Sequence, residues 1–277
     1  MKKKAILLTA VFLFASLSVV QAQEGELHGT IDVTYLSKYV WRGFDIFYNN
    51  KGAIQPSIDL DLYGTGFGIN IMGHMATSGG HVNNERWDYT LYYGNSLFEG
   101  ESYATNYRLG WVNYNYPDNP SKGSATAPNA SLQELHAILS WPNMCPAGVV
   151  PSYILVKMWP SESGSFSGSK SPFGGTASGF AHIFMLDYPL TIQGIMPDTA
   201  EQVLNLHAEV IYNDGVGPAG QNVDQDWSNA VFGISTSFDL GSNMMLTPAI
   251  YHQITMDKSV NDDKSETWAT AGLTYKF

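Results

Sequence analysis

One cysteine, Cys145, occurs in the 277 residues, so no intramolecular disulfide can staple the fold, and the thiol is assigned no role. Positive charge is scarce too. Fourteen Lys and Arg stand against 25 Asp and Glu, and three of the cations, Lys2, Lys3 and Lys4, precede an apolar run from Ala5 to Val20 that ends in Val20-Gln21-Ala22. A basic start, a short apolar stretch and a small residue at its end form the pattern of a secretory signal peptide. Residues 1–22 are therefore expected to be cleaved and 23–277 to form the mature protein. Without the three lysines, 11 basic residues face 25 acidic ones, a net charge of −14 that argues against a nucleic-acid partner.

Long hydrophobic runs are missing as well. Beyond Ala22 nothing approaches the roughly 20 apolar residues that a spanning helix needs, so further membrane insertion must use strands, and only a closed barrel satisfies their backbone groups in lipid. Charged residues make up 14% of the chain, whereas 16 Tyr, 7 Trp and 27 Gly suit many short strands joined by turns.

From Thr30 onward the chain divides into segments of about ten residues with alternating polarity, the spacing of tilted membrane strands. Twelve are counted, with ten or fourteen as neighbouring possibilities. In the first, Ile31, Val33, Tyr35, Tyr39 and Trp41 share one face, while Asp32, Thr34, Lys38 and Arg42 share the other. Later segments repeat this pattern: Ile54, Ile58 and Leu60 oppose Gln55, Asp59 and Asp61; Trp87, Tyr89 and Leu91 oppose Arg86 and Asp88; Leu109 and Trp111 oppose Arg108. Leu135 and Ala137 oppose Glu134 and His136; Ile154, Val156 and Met158 oppose Lys157; Leu206 and Val210 oppose His207 and Glu209. Ala269, Ala271, Leu273, Tyr275 and Phe277 alternate with Thr270, Thr274 and Lys276. The apolar faces so chosen hold no Asp, Glu, Lys or Arg, as lipid contact demands. His252 on the apolar side and the ladder-breaking Pro56 and Pro248 are the exceptions.

A secreted β-sandwich would also alternate, but here the connections alternate in length. Long Gly/Asn/Asp/Ser/Pro-rich stretches at 118–130, 160–175 and 214–226 follow odd strands, and shorter ones at 64–66 and 239–243 follow even strands. Long external loops and short periplasmic turns mark a transmembrane barrel. The 189–202 connection is too long for a simple turn and has room for a short helix. Tyr39 and Trp41 are expected in the external aromatic girdle, and Tyr275 and Phe277 at the periplasmic one. The expected fold is therefore an all-β, antiparallel up-and-down barrel.

Within the first segment, Ser37-Lys38-Tyr39-Val40-Trp41-Arg42-Gly43 resembles the Ser-x-Tyr-x-x-Arg-Gly opening of the TorF-type porin family of small outer-membrane barrels. The resemblance implies a barrel of the bacterial cell outer membrane. A terminal aromatic such as Phe277 likewise resembles the signal read by the barrel assembly machinery. Membrane lipid, that machinery and small solutes are the implied partners.

Parity directs Asp32, Asp59, Asp61, Asp88, Glu134, Asp187 and Glu209 inward, together with Lys38, Arg42, Arg86, Arg108, Lys157 and Lys276. Such a nearly balanced wall predicts weak selectivity. Candidate pore-lining residues are Lys38, Arg42, Asp59, Asp61, Arg86, Asp88, Arg108, Glu134, Lys157, His207 and Glu209. Twelve strands lie between a filled and a wide interior, so the lumen is either open or plugged by side chains and an infolded loop. No His-x-Ser pair or Gly-x-Ser-x-Gly elbow occurs, and neither a catalytic set, a metal site nor a cofactor is indicated. The expected activity is passive diffusion of small hydrophilic solutes or ions. The alternatives are a non-conducting barrel whose loops bind a surface ligand, with Phe166 and Phe173 as anchors, and, third, an outer-membrane hydrolase.

Overall fold

The computed structural model describes residues 26–49, 51–118, 131–161, 178–195, 199–215 and 223–277. The expected signal peptide, the middle of the long loops at 119–130, 162–177 and 216–222, and with them Phe166 and Phe173, lie outside the described residues.

Strands β1 (His28–Leu36), β4 (Ala53–Asp61), β5 (Phe67–Ala76), β6 (Arg86–Leu97), β7 (Thr105–Asn115) and β8 (Leu132–Ser140) form one half of a continuous antiparallel sheet. β9 (Val150–Pro160), β10 (Gly179–Gln193), β11 (Glu201–Asp214), β12 (Asp224–Thr236) with β13 (Phe238–Gly241), β14 (Met244–Thr255) and β15 (Glu266–Lys276) form the other. β12 and β13 are one strand broken at Ser237. Their common register against β14 puts the break opposite Thr247 and Pro248, and proline offers no ladder donor. Twelve spanning strands result. The sheet closes where Thr30–Leu36 of β1 pairs with Thr270–Lys276 of β15, so no edge is left for other chains to pair with. Two short strands, β2 (Val40–Trp41) and β3 (Phe44–Asp45), form a separate hairpin.

Alternation decides which side chains meet lipid. Ile31, Val33, Leu91, Leu109, Leu135, Phe184, Leu186, Phe232, Ile250 and Leu273 are exposed on the outer surface, where tails rather than water surround them. Their neighbours in sequence point inward. His252 also faces outward, opposite Phe232, and its Nδ1 lies 2.8 Å from the Thr267 hydroxyl, which gives that ring nitrogen a partner. Connections at one end have two to nine residues and at the other nine to eighteen, so the short end is periplasmic. At that end Tyr275 and Phe277 stack at 6.3 Å, and Phe67, Tyr93 and Tyr107 form a second aromatic run.

Three expectations are corrected. β10 runs through Pro189, paired with Asn205, to Gln193, so the connection to β11 is seven residues and much of the presumed loop is strand. In β9 the phase is inverted: Val156 pairs with the inward His136, while Lys157 pairs with the outward Leu135 and Phe180. Both faces of this strand are apolar, so alternation carried no phase information, and the single charge was assigned to the wrong side. Lys157 lies three residues from the external end, with its ammonium 4.4 Å from the Phe180 ring centroid, where a long side chain reaches the headgroups. Finally, Tyr39 and Trp41 are not in the girdle. β1 ends at Leu36, and the chain turns into the lumen.

Candidate functional site

The inward turn begins with a hydroxyl. Ser37 N–H still donates to the Ala269 carbonyl at 2.8 Å, but the Ala269 N–H goes to Ser37 Oγ at 2.9 Å instead of the Ser37 carbonyl, and β1 stops. Lys38 then pairs with Glu266 at the rim. Val40-Trp41 and Phe44-Asp45 form the hairpin, with Arg42 and Gly43 between them at φ +49° and +98°. Two left-handed residues in succession make a tight primed turn, which suits Gly43. A Cβ at Gly43 would lie 2.7 Å from Asn229 Oδ1 and 3.0 Å from Val260 Cγ1.

This hairpin packs inside the lumen toward its external end. Tyr39 stacks on His74 at 4.9 Å, and Trp41 lies edge-on to Tyr114 at 5.2 Å. Between them Arg86 is fully buried. Its Nε lies 2.7 Å from Asp88, its NH2 donates to Tyr39 Oη at 2.8 Å, and its guanidinium carbon is 4.1 Å from the Trp41 ring centroid and 4.7 Å from that of Tyr114. Such a desolvated guanidinium is held by one carboxylate and by aromatic faces, each worth about 0.5–2 kcal/mol. Behind Trp41 the wall contributed by β7 to β11 is apolar, with Val112, Leu132, Val156, Met158, Ala181 and Ile211 packed as a core. On the other side Phe44, Val223 and Val260 close over the hairpin.

At the tip, Arg42 NH1 lies 2.8 Å from Glu134, which also accepts the Tyr114 hydroxyl at 2.7 Å and faces His136 at 3.0 Å. Gln253, fully buried, donates from Nε2 to the Gly43 carbonyl at 2.9 Å. Two opposite walls thus grip one turn.

Below the hairpin a cavity of about 550 Å³ occupies the side formed by β11, β12, β14, β15, β1 and β4. Asp32, Gln55, His207, Glu209, Tyr251, Gln253 and Trp268 contribute to its lining. His207 and Asp187 lie 2.7 Å apart. Toward the periplasm, Arg108 lies flat on Tyr92, 3.3 Å from its ring centroid, and 3.7 Å from Asp59, which accepts the Tyr92 hydroxyl at 2.6 Å. Asp61 accepts the Gly64 N–H at 2.9 Å, so it caps a periplasmic turn at the mouth.

Of the residues singled out in the sequence, Arg42, Glu134, Asp88 and Arg86 meet in or around the plug, and His207 and Glu209 meet in the cavity. Asp59 and Arg108 pair elsewhere in the lumen, Lys38 is at the rim and Lys157 is outside. Periodicity put Tyr39 and Trp41 on the lipid side and did not single out Tyr114, whereas Gln253 fell on the inward face without being picked as a site residue. The Arg42-Gly43 pair, a short turn signal inside a supposed strand, was the available clue.

No family model and no curated protein matches the sequence. Solved structures do match in fold. The NanC porin gives a TM-score of 0.52 at 9% identity, over 89% of this chain and 100% of that one. The KdgM porin in complex with disordered oligogalacturonate gives 0.48 at 10%, over 90% and 99%, and an outer membrane channel from Pseudomonas putida F1 gives 0.47 at 9%, over 91% and 96%. Identity this low bears on the fold alone. A closed barrel with an apolar outer band belongs in the bacterial outer membrane.

Proposed function

We propose that this chain is a narrow porin-like channel for passive diffusion of small hydrophilic solutes or ions. The reading rests on the polar cavity of about 550 Å³ beside the plug, whose walls are strands that span the membrane. The hairpin restricts the external half, so the expected conductance is well below that of an open twelve-stranded tube. Arg42, Arg86 and Arg108 are each neutralised by a carboxylate and Lys157 is outside, which leaves the lumen more acidic than parity alone suggested. Mild cation preference follows.

Planar-bilayer recording of the folded protein under a salt gradient tests this. A reversal potential on the cation side is expected, whereas strong anion selectivity would mean that the arginines dominate the constriction. A second reading draws on the same plug: a barrel sealed by its hairpin and specialised for loop binding. Complete absence of conductance in a correctly folded sample selects it.

Three further assignments belong to this proposal. Ser37-x-Tyr39-x-x-Arg42-Gly43, the resemblance to TorF-type porins, is the segment that enters and anchors the plug. Residues 1–22 direct export. The β15 strand, ending beside Phe277, is the segment taken by the assembly machinery.

A further inference from the structure

The cavity wall mixes hydroxyl and aliphatic side chains with two carboxylates, Asp32 and Glu209, and two aromatic rings, Tyr251 and Trp268, and its one arginine, Arg42, is paired with Glu134. In register, three layers follow one another down the barrel. Uppermost, Glu209 is level with Val231 and Gln253, directly beneath Gly43. Next come His207, Gly233, Tyr251 and Trp268, aligned across four strands. Tyr251 and Trp268 stack with centroids 5.4 Å apart and planes 20° apart. Gly233 leaves the space that the Tyr251 ring takes, since a Cβ there would come within 2.4 Å of it. Lowest, Asp32 accepts the Thr34 and Thr274 hydroxyls at 2.7 and 2.6 Å.

Among the described residues, two carboxylates in this wall form no ion pair and one amide oxygen has no donor. Asp32 has only neutral hydroxyl partners, and Glu209 forms no ion pair or hydrogen bond among the described residues. Gln253 is 0% exposed, and among the described residues its Oε1 has no partner although its Nε2 is bound to the plug. A buried acceptor left unpaired costs about 1–3 kcal/mol, which a donor-bearing guest recovers. The polar groups that could serve these acceptors are already committed: Arg42 to Glu134, and the His207 ring nitrogen to Asp187. What remains is negative charge, an orphan carbonyl and two ring faces, the elements that recognise an organic cation.

We infer that this cavity is a subsite for a small organic cation with N–H donors, a primary ammonium or guanidinium compound. The head of such a guest fits between Glu209 and the Gln253 carbonyl, its stem lies along Trp268 and Tyr251, and Asp32 draws it in from the periplasmic side. The inference gives the channel reading a solute class, and its binding step is measurable without conduction.

The test is calorimetric titration of the folded, detergent-solubilised protein with arginine amide, with gluconate and glucose as the anionic and neutral probes. Saturable binding of arginine amide alone is expected, weakened roughly tenfold or more in Glu209→Gln and in Asp32→Asn and unchanged in Lys157→Gln. Glu209→Gln is nearly isosteric and removes no hydrogen bond, and retained heat-modifiable migration of each variant shows that the barrel is intact. Equal binding of gluconate, or unchanged affinity in a folded Glu209→Gln, overturns the inference. Conductance without saturable binding of arginine amide also overturns it while leaving the channel standing. Binding without conductance supports the subsite and removes the channel instead.

Discussion

Arg86 and Lys157 show how much a single position decides. Both are cations on spanning strands, yet one is buried in an aromatic cage and the other rests on Phe180 at the outer rim. Arg86→Met removes the guanidinium 2.7 Å from Asp88 and leaves that carboxylate with His74 Nε2, at 2.8 Å, as its remaining partner. The expected loss is about 3–5 kcal/mol, read as a lower urea midpoint for the protein folded in liposomes. Lys157→Leu is expected to change stability by less than about 1 kcal/mol, because a lysine near the interface costs little, and to leave conductance unaltered. A change in conductance would place that amine in the lumen and contradict the strand pairing of β9. Gly43 is constrained by conformation: an alanine there must hold φ near +98° against Asn229. Gly43→Ala should therefore loosen the plug before it weakens the barrel.

At the scale of elements, the hairpin is the part that separates this barrel from a plain tube. Its attachments come from unrelated parts of the wall: Glu134 on β8, Arg86 on β6 and Gln253 on β14. None is part of the barrel's own ladder. Replacing residues 38–50 with a short Gly/Ser turn is expected to raise single-channel conductance several-fold while heat-modifiable migration persists. Glu134→Gln, which frees Arg42 from its ion pair, should give more frequent opening with a smaller change in amplitude. Unaltered current in both variants would show that ions pass beside the plug rather than being limited by it.

For the whole molecule, closure of β1 on β15 makes the barrel a single cooperative sheet, and its net charge is carried largely by acids rather than by a balanced surface. Exported protein should begin at Gln23 when its mass is measured, and it should require detergent or lipid to stay in solution. A full-length mass in the membrane fraction would remove the cleavage proposal without touching the barrel.

Local chemistry settled much of this protein even though the chain carries little charge. Period-two alternation determined the faces of nearly every strand, because lipid outside and polar groups inside impose opposite demands on successive residues. Loop-length asymmetry determined the orientation, for the same reason that only one side of the membrane tolerates long connections. Tertiary structure alone decided the rest. Where β1 ends depends on Ala269 meeting Ser37 across the closing seam, a contact between residues more than two hundred positions apart. The phase of β9 depends on its neighbours, since an apolar plug makes the inner wall as greasy as the outer one there. The lumen is divided for that physical reason: a twelve-stranded interior is too wide for wall side chains to fill, and the hairpin occupies part of what they leave.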